Sequence, residues 1–220
     1  LSYWSLMNKE VILFDLDGTL VDSEQYYLSG TLKWMQREGY HGELKDLIPL
    51  IGKTMEATHI FIQEKLPHLS VEQVAKYNND YFVKEDPIDY QKIIFDDVYD
   101  FFDKVKGKYK LALCSMDSME ELNNFLRQTG LAFDVVVSGS ECKENKPSPE
   151  VWLKAMQELN VSADKCLAVE DSYVGIKSSK NAKIYTCARR DKRFNIKQDE
   201  ADYCFDSLSE LISILESKNE

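Results

Sequence analysis

Six short apolar runs punctuate the chain, at 11–16 (VILFDL), 110–115 (KLALCS), 134–138 (DVVVS), 166–170 (CLAVE), 183–187 (KIYTC) and 202–205 (DYCF). The first four are near-continuous in apolar residues rather than alternating. That is the pattern of strands covered on both faces of a parallel sheet. Helical periodicity fills most of the gaps. Val98, Phe101, Phe102 and Val105 recur at i, i+3, i+4 and i+7, as do Trp152, Ala155, Met156 and Leu159, and Leu208, Leu211, Ile212 and Leu215. Ser118 with Glu121 forms a capping box, and Ser148-Pro149 supplies an N-cap and a proline at the first helical position. Strand and helix in alternation predict an α/β fold: a Rossmann-like open parallel sheet flanked by helices, with right-handed crossovers.

Residues 21–90 interrupt the alternation and hold no convincing strand. Leu28, Leu32 and Met35 mark one amphipathic helix, a second runs near 54–65, and Ser70 with Gln73 caps a third. We therefore expect a Rossmann-like core formed by 1–20 and 91–220, and a small all-helical cap domain, 21–90, inserted after strand one. An insertion at that point sits over the carboxyl edge of the sheet, where open α/β folds bind ligands.

Composition narrows the class. The chain has 220 residues, 44% of them hydrophobic, and a formal net charge of −11. That charge speaks against nucleic-acid backbones and anionic membranes as partners, since both need cationic patches. No apolar run reaches the roughly 18–20 residues that span a bilayer. Cysteines 114, 142, 166, 187 and 204 form no CxxC pair, and histidines 41, 59 and 68 are scattered. This argues for reduced thiols, a cytoplasmic setting and no zinc site. We take the chain as a monomer. Leu1 leaves residues 1–6 open to being a leader before Met7.

Chemistry concentrates at four strand ends. The first is DLDGT, residues 15–19, where Asp15 and Asp17 follow a buried strand and Gly18 permits a tight turn. An Asp-Gly pair alone would mark an ordinary turn. Two carboxylates here repel, by about 4 kcal/mol for a 4 Å pair at an effective dielectric of 20, unless something offsets the charge. The second is CSMDS, where Ser118 already holds the helix cap and Ser115 is left for a ligand. The third is Lys146 in NKPSPEVW, extended before Pro147 and ahead of a helix. A solvated surface lysine is its ordinary reading, and anion binding its functional one. The fourth is VEDSYVGI, where Glu170 and Asp171 end a strand, with Asp171 or Ser172 as a plain N-cap in the bland account. Taken together, the four converge on one sheet edge. Acids gathered from strands one and four make an all-oxygen site for Mg²⁺, which offsets the repulsion.

These four stations resemble the haloacid dehalogenase-like hydrolase superfamily, whose signature is Asp-x-Asp-x-Thr, then Ser or Thr, then Lys, then paired acids. The helical insertion is similar to the subgroup that includes β-phosphoglucomutase and phosphoglycolate phosphatase. The resemblance implies that Asp15 attacks phosphorus and becomes an aspartyl-phosphate, while Asp17 serves as general acid and base. It implies Mg²⁺ held by Asp15, the Asp17 carbonyl and Asp171, with Glu170 close by. Ser115, Lys146 and backbone N–H groups of Leu16, Asp17 and Met116 would hold phosphoryl oxygens. Glu24, Tyr27 and Lys53 are candidates for substrate specificity. The implied activity is hydrolysis of a small phosphorylated metabolite, taken here as a sugar phosphate. A β-phosphoglucomutase-like mutase is the alternative, and a non-catalytic phospho-acceptor or binding module a third reading. Two departures weigh against the mutase: Tyr27 stands where that branch has His, and Met55 where its cap has Arg.

Overall fold

The protein is described by a computed structural model covering residues 8–194 and 196–216, so the stretch before Met7 lies outside the described residues. It folds as two compact units, Leu1–Asp22 with Tyr90–Glu220, and Ser23–Asp89.

The first unit is built on a six-stranded, all-parallel sheet. Its strands are β1 (Val11–Phe14), β2 (Lys110–Ser115), β3 (Val135–Ser138), β4 (Cys166–Glu170), β5 (Tyr185–Arg189) and β6 (Tyr203–Phe205), in the order β3-β2-β1-β4-β5-β6. Every residue of β1 and β4 is buried, as the continuous apolar runs require. The order reverses at β1, which pairs with β2 on one side and β4 on the other. Open sheets of this kind hold ligands at the carboxyl ends beside such a reversal.

The strand bounds differ from expectation where charge or turn chemistry intervenes. β1 stops at Phe14, because the chain turns and Thr19, Leu20 and Val21 all donate to the Leu16 carbonyl. β5 begins two residues late: Lys183 takes a left-handed conformation (φ 64°) and Ile184 donates to Ser179, closing the preceding helix. It also runs on to Arg189, a buried cation that an apolar pattern does not reveal.

Helices α5 (Val98–Val105), α6 (Met119–Thr129), α7 (Glu150–Glu158), α8 (Tyr173–Asn181) and α9 (Leu208–Glu216) pack around the sheet, and a short α4 (Tyr90–Ile93) contacts α6. The capping box at Ser118 and Glu121 opens α6. α7 starts one residue later than expected, with Pro149 at the cap and Glu150 N–H donating to Ser148 Oγ. Under one face of the sheet lie Leu13, Ala112, Val137, Trp152 and Ala155. Phe14 meets Phe101, Phe102 and Phe133 in edge-on and tilted contacts.

The second unit is helical: α1 (Ser23–Arg37), a 3₁₀ segment Leu44–Leu50 that the periodicity misses, α2 (Met55–Lys65) and α3 (Val71–Lys84). Thr54 caps α2 and Ser70 with Gln73 forms the expected capping box on α3. Leu28, Trp34, Met35, Val74 and Tyr81 are buried, while Leu32 is only partly so. A Cβ at Gly30 would lie 2.4 Å from the Phe82 ring, so glycine lets α1 approach α3. No helix among the described residues is long and apolar enough to cross a membrane.

Candidate active site

The carboxyl ends of β1, β2 and β4 bring the four sequence stations together. Asp15 directly follows β1, and its N–H donates to Val169 of β4, prolonging the ladder by one bond. Glu170 ends β4 and Asp171 follows it. One oxygen from each of Asp15, Glu170 and Asp171 lies within 4.8 Å of the others, and all three residues are buried.

Lys146 enters this acidic nest from the segment before α7. Its ammonium donates to Asp15 Oδ1 at 2.5 Å and Glu170 Oε1 at 2.7 Å, with the side chain 6% exposed. It also stands 4.7 Å from the centre of the Trp152 ring. The lysine is thus not a solvated surface residue. Glu170 is held from its other side, where Oε2 accepts from the N–H groups of Asp171 and Ser172 and from Ser172 Oγ. Ser172 also caps α8, which absorbs the N-cap role and leaves the Asp171 carboxylate for the site.

Two glycines make room for these carboxylates. A Cβ at Gly18 would fall 2.1 Å from Asp171 Oδ2, and one at Gly175 would fall 1.7 Å from Glu170 Oε1. Gly18 also takes a positive φ of 71°, so both the turn and the close approach call for glycine there.

The electrostatics follow from crowding. Burial pushes the Asp15 carboxyl up to about 7, against the opposing pull of Lys146, and Glu170 adds to the rise. Burial, then the charges of Glu170 and Asp15, raise Asp171 well above the ordinary carboxylate range. Burial draws Lys146 toward the neutral amine, but Asp15 and Glu170 outweigh it and the lysine holds its proton more tightly than usual. A hard cation suits such a nest: the donors are all oxygen, their charge exceeds that of the single lysine, and the Gly18 backbone closes directly on Asp171.

Asp17 and Ser115 are placed differently from the simple expectation. The Asp17 carboxyl is not in the three-acid cluster and lies beside Asp117. β1 ends before it, so strand alternation no longer aligns it with Asp15. Ser115 ends β2 but its hydroxyl is not free. Oγ donates to Asp117 Oδ2 at 3.0 Å and accepts from the Asp117 N–H at 3.1 Å. Asp117 is therefore a neighbour of the candidate site that sequence reasoning missed. Its signal in the sequence is an acid two residues past Ser115, next to the helix cap at Ser118. Leu16 is fully buried, with its carbonyl receiving the loop's N–H groups, and Met116 is partly buried against Gly139.

Glu24, Tyr27 and Lys53 belong to the second unit. Glu24 lies in the first turn of α1, Tyr27 packs on Tyr26 and Phe82 while 46% exposed, and Lys53 is exposed before α2.

Comparison with known proteins agrees with this geometry. Residues 12–189 match the haloacid dehalogenase-like hydrolase family. A curated relative, pyrophosphatase PpaX of Bacillus cereus (strain Q1), is 27% identical over 221 residues, spanning 97% of this chain and 99% of its own. Among solved structures, β-phosphoglucomutase from Clostridium difficile is similar at 26% identity and a TM-score of 0.68, covering 96% of each chain. CbbY from Rhodobacter sphaeroides, in complex with phosphate, shares the fold at 23% identity and a TM-score of 0.68, covering 94% of this chain and 99% of its own. The chain belongs to the haloacid dehalogenase-like hydrolases and is an enzyme of the phosphoric ester hydrolase kind.

Proposed function

We propose that the protein is a Mg²⁺-dependent phosphatase acting on a small phosphorylated metabolite, with a sugar phosphate as the leading class, through an aspartyl-phosphate on Asp15. The observation that carries this reading is the buried meeting of Asp15, Glu170 and Asp171 around Lys146. Mg²⁺ would be held by Asp15, Asp171 and the Asp17 carbonyl, with Glu170 beside it, and when bound it supplies charge stabilisation for the phosphoryl oxygens.

The chain's own groups carry the chemistry. Asp15 attacks phosphorus in line as the bond to the ester oxygen breaks, and Asp17 gives its proton to that oxygen. Water then attacks the phosphorus, Asp17 takes the proton, and the bond to Asp15 breaks to release phosphate. Lys146, the Ser115 hydroxyl and the N–H groups of Leu16, Asp17 and Met116 hold the phosphoryl oxygens, since phosphoryl transfer depends chiefly on positioning and charge. Ser115 must turn its proton from Asp117 toward phosphate to do so. The helical unit Ser23–Asp89 serves as the cap, and its Glu24, Tyr27 and Lys53 contribute to substrate choice.

A phosphate-release screen across phosphomonoesters and pyrophosphate, with Mg²⁺ and with EDTA, tests this. We expect metal-dependent turnover that Asp15→Asn abolishes while leaving the fold intact. Turnover that survives either Asp15→Asn or EDTA would refute it. The likeness to β-phosphoglucomutase supports a mutase as second reading. Conversion of β-glucose 1-phosphate to glucose 6-phosphate with glucose 1,6-bisphosphate, faster than phosphate release, would favour it. A stable phospho-Asp15 without turnover would favour a phospho-acceptor instead.

A further inference from the structure

We propose that Arg189 and Gln198 are positioning residues of this site, which together fix the spacing between the Asp15–Thr19 loop and Asp171. The inference rests on the phosphatase reading above, and within it follows from where β4 and β5 part. Their register ends at Glu170 beside Ala188, so Asp171 and Arg189 come next on the two strands. There the side-chain amide of Gln198 bridges them. Its Nε2 donates to the Asp171 carbonyl at 2.5 Å and to the Arg189 carbonyl at 2.7 Å. An amide NH₂ has two protons, so one group serves both acceptors. Gln198 is tied in turn, its own carbonyl accepting from the Ala201 N–H at 3.1 Å.

The Arg189 side chain holds the other loop. Its Nε donates to the Thr19 carbonyl at 2.9 Å, and its two terminal nitrogens donate to Asp97 at 2.8 and 3.2 Å. The guanidinium carbon lies 4.3 Å from the centre of the Phe95 ring. Asp97 is itself fixed, accepting from Ser207 Oγ at 3.0 Å and the Leu208 N–H at 2.7 Å. A planar fork engaged on these sides is buried and has little freedom. Thr19 belongs to a tight turn in which three N–H groups converge on the Leu16 carbonyl and the Gly18 N–H donates to Val21. A bond at the Thr19 carbonyl therefore restrains the turn as a unit. Arg189 thus grips one loop with its side chain and, through Gln198, the other with its backbone.

The spacing between these loops leaves no slack. A Cβ at Gly18 would fall 2.1 Å from Asp171 Oδ2, so the turn and the carboxylate already pack closely. Misplacing reacting groups by 1 Å can cost about 10²-fold in rate. Lys146 and Ser115, which hold the phosphoryl oxygens in this reading, come from other segments, before α7 and at the end of β2. Loosening the clamp should therefore lower kcat and leave KM nearly unchanged.

Two variants test this, with kcat and KM measured on 4-nitrophenyl phosphate at saturating Mg²⁺, at a temperature where circular dichroism shows each protein folded. Gln198→Met keeps the side chain's length and removes both donors. Arg189→Lys keeps a cation for Asp97 but not the fork that also reaches Thr19. We expect kcat to fall about tenfold or more in each, with KM within about threefold of wild type. Lysine should hold Tm closer to wild type than Arg189→Met does, without restoring kcat; a purely structural arginine would recover both together. Gln198→Met with kcat within about threefold of wild type overturns the proposal, even where Arg189→Lys does not fold. So does a folded Arg189→Lys with wild-type kcat, or a loss that falls on KM alone. A wild-type enzyme that cleaves no phosphomonoester sinks the phosphatase reading itself, a result distinct from active variants.

Discussion

Replacing Lys146 with Met asks how much of the site's integrity rests on one cation. The ammonium lies 2.5 Å from Asp15 and 2.7 Å from Glu170, at 6% exposure. Methionine keeps the apolar stem over Trp152 but removes the charge. Two buried carboxylates then lose their partner, a change that costs about 3–5 kcal/mol. For a chain of this length each kcal/mol moves Tm by about 2–4 °C, so Lys146→Met should melt about 6–20 °C lower in EDTA at pH 8. The deficit should depend on pH in one direction. Lys146 holds its proton above the usual lysine range, so in the wild type its contribution persists throughout pH 5–8. Burial and Glu170 raise the Asp15 carboxyl to about 7, and loss of Lys146 raises it further. A raised carboxyl favours the fold below its unfolded pKa and loses that contribution as pH climbs through the folded value. The variant should therefore recover toward wild type at pH 5, where Asp15 is protonated. Saturating Mg²⁺ at pH 8 should also restore part of the loss. Calorimetric melts at the two pH values decide it: an equal deficit at both, or none at pH 8 in EDTA, would refute the reasoning.

Gly175→Ala should displace the Glu170 carboxylate, since the new Cβ would stand 1.7 Å from Oε1; we expect at least a tenfold loss in kcat/KM, read by phosphate release, with α8 still helical by circular dichroism. Arg189→Leu should cost about 3–5 kcal/mol in urea unfolding, because Asp97 loses a paired contact at 2.8 and 3.2 Å and the Thr19 carbonyl loses its Nε–H donor. Burial opposes ionisation of Asp97, but Arg189 and the Leu208 N–H hold it below the ordinary range, so this contribution should be present above about pH 4 and fade as pH falls lower.

What could be read in advance divides along physical lines. Parallel-sheet strands announce themselves because burial on both faces leaves no polar alternation, and β1, β2 and β4 appeared where Val11, Leu111 and Leu167 stand. Local caps such as Ser70 with Gln73 are written in neighbouring residues. Contacts that close across the fold are not. Nothing near Arg189 indicates that it reaches the Thr19 carbonyl, and nothing near Asp117 shows that Asp17 lies beside it. Lys183 with φ of 64° misled the start of β5 because a lysine there resembles continued strand. Lys146 was legible as a candidate only through its position before a helix, while its burial between two acids needed the tertiary fold.

β1 is central in the sheet, yet its neighbour β4 comes late in the chain, and Lys146 lies 131 residues beyond Asp15. During synthesis, the first aspartates leave the ribosome long before the strand that supplies their companions. The three-acid nest therefore cannot close until most of the polypeptide has been made and β4 has docked. Closure of the nest would thus report completed assembly of the sheet, and a nascent chain arrested before residue 166 would carry Asp15 without Glu170 and Asp171.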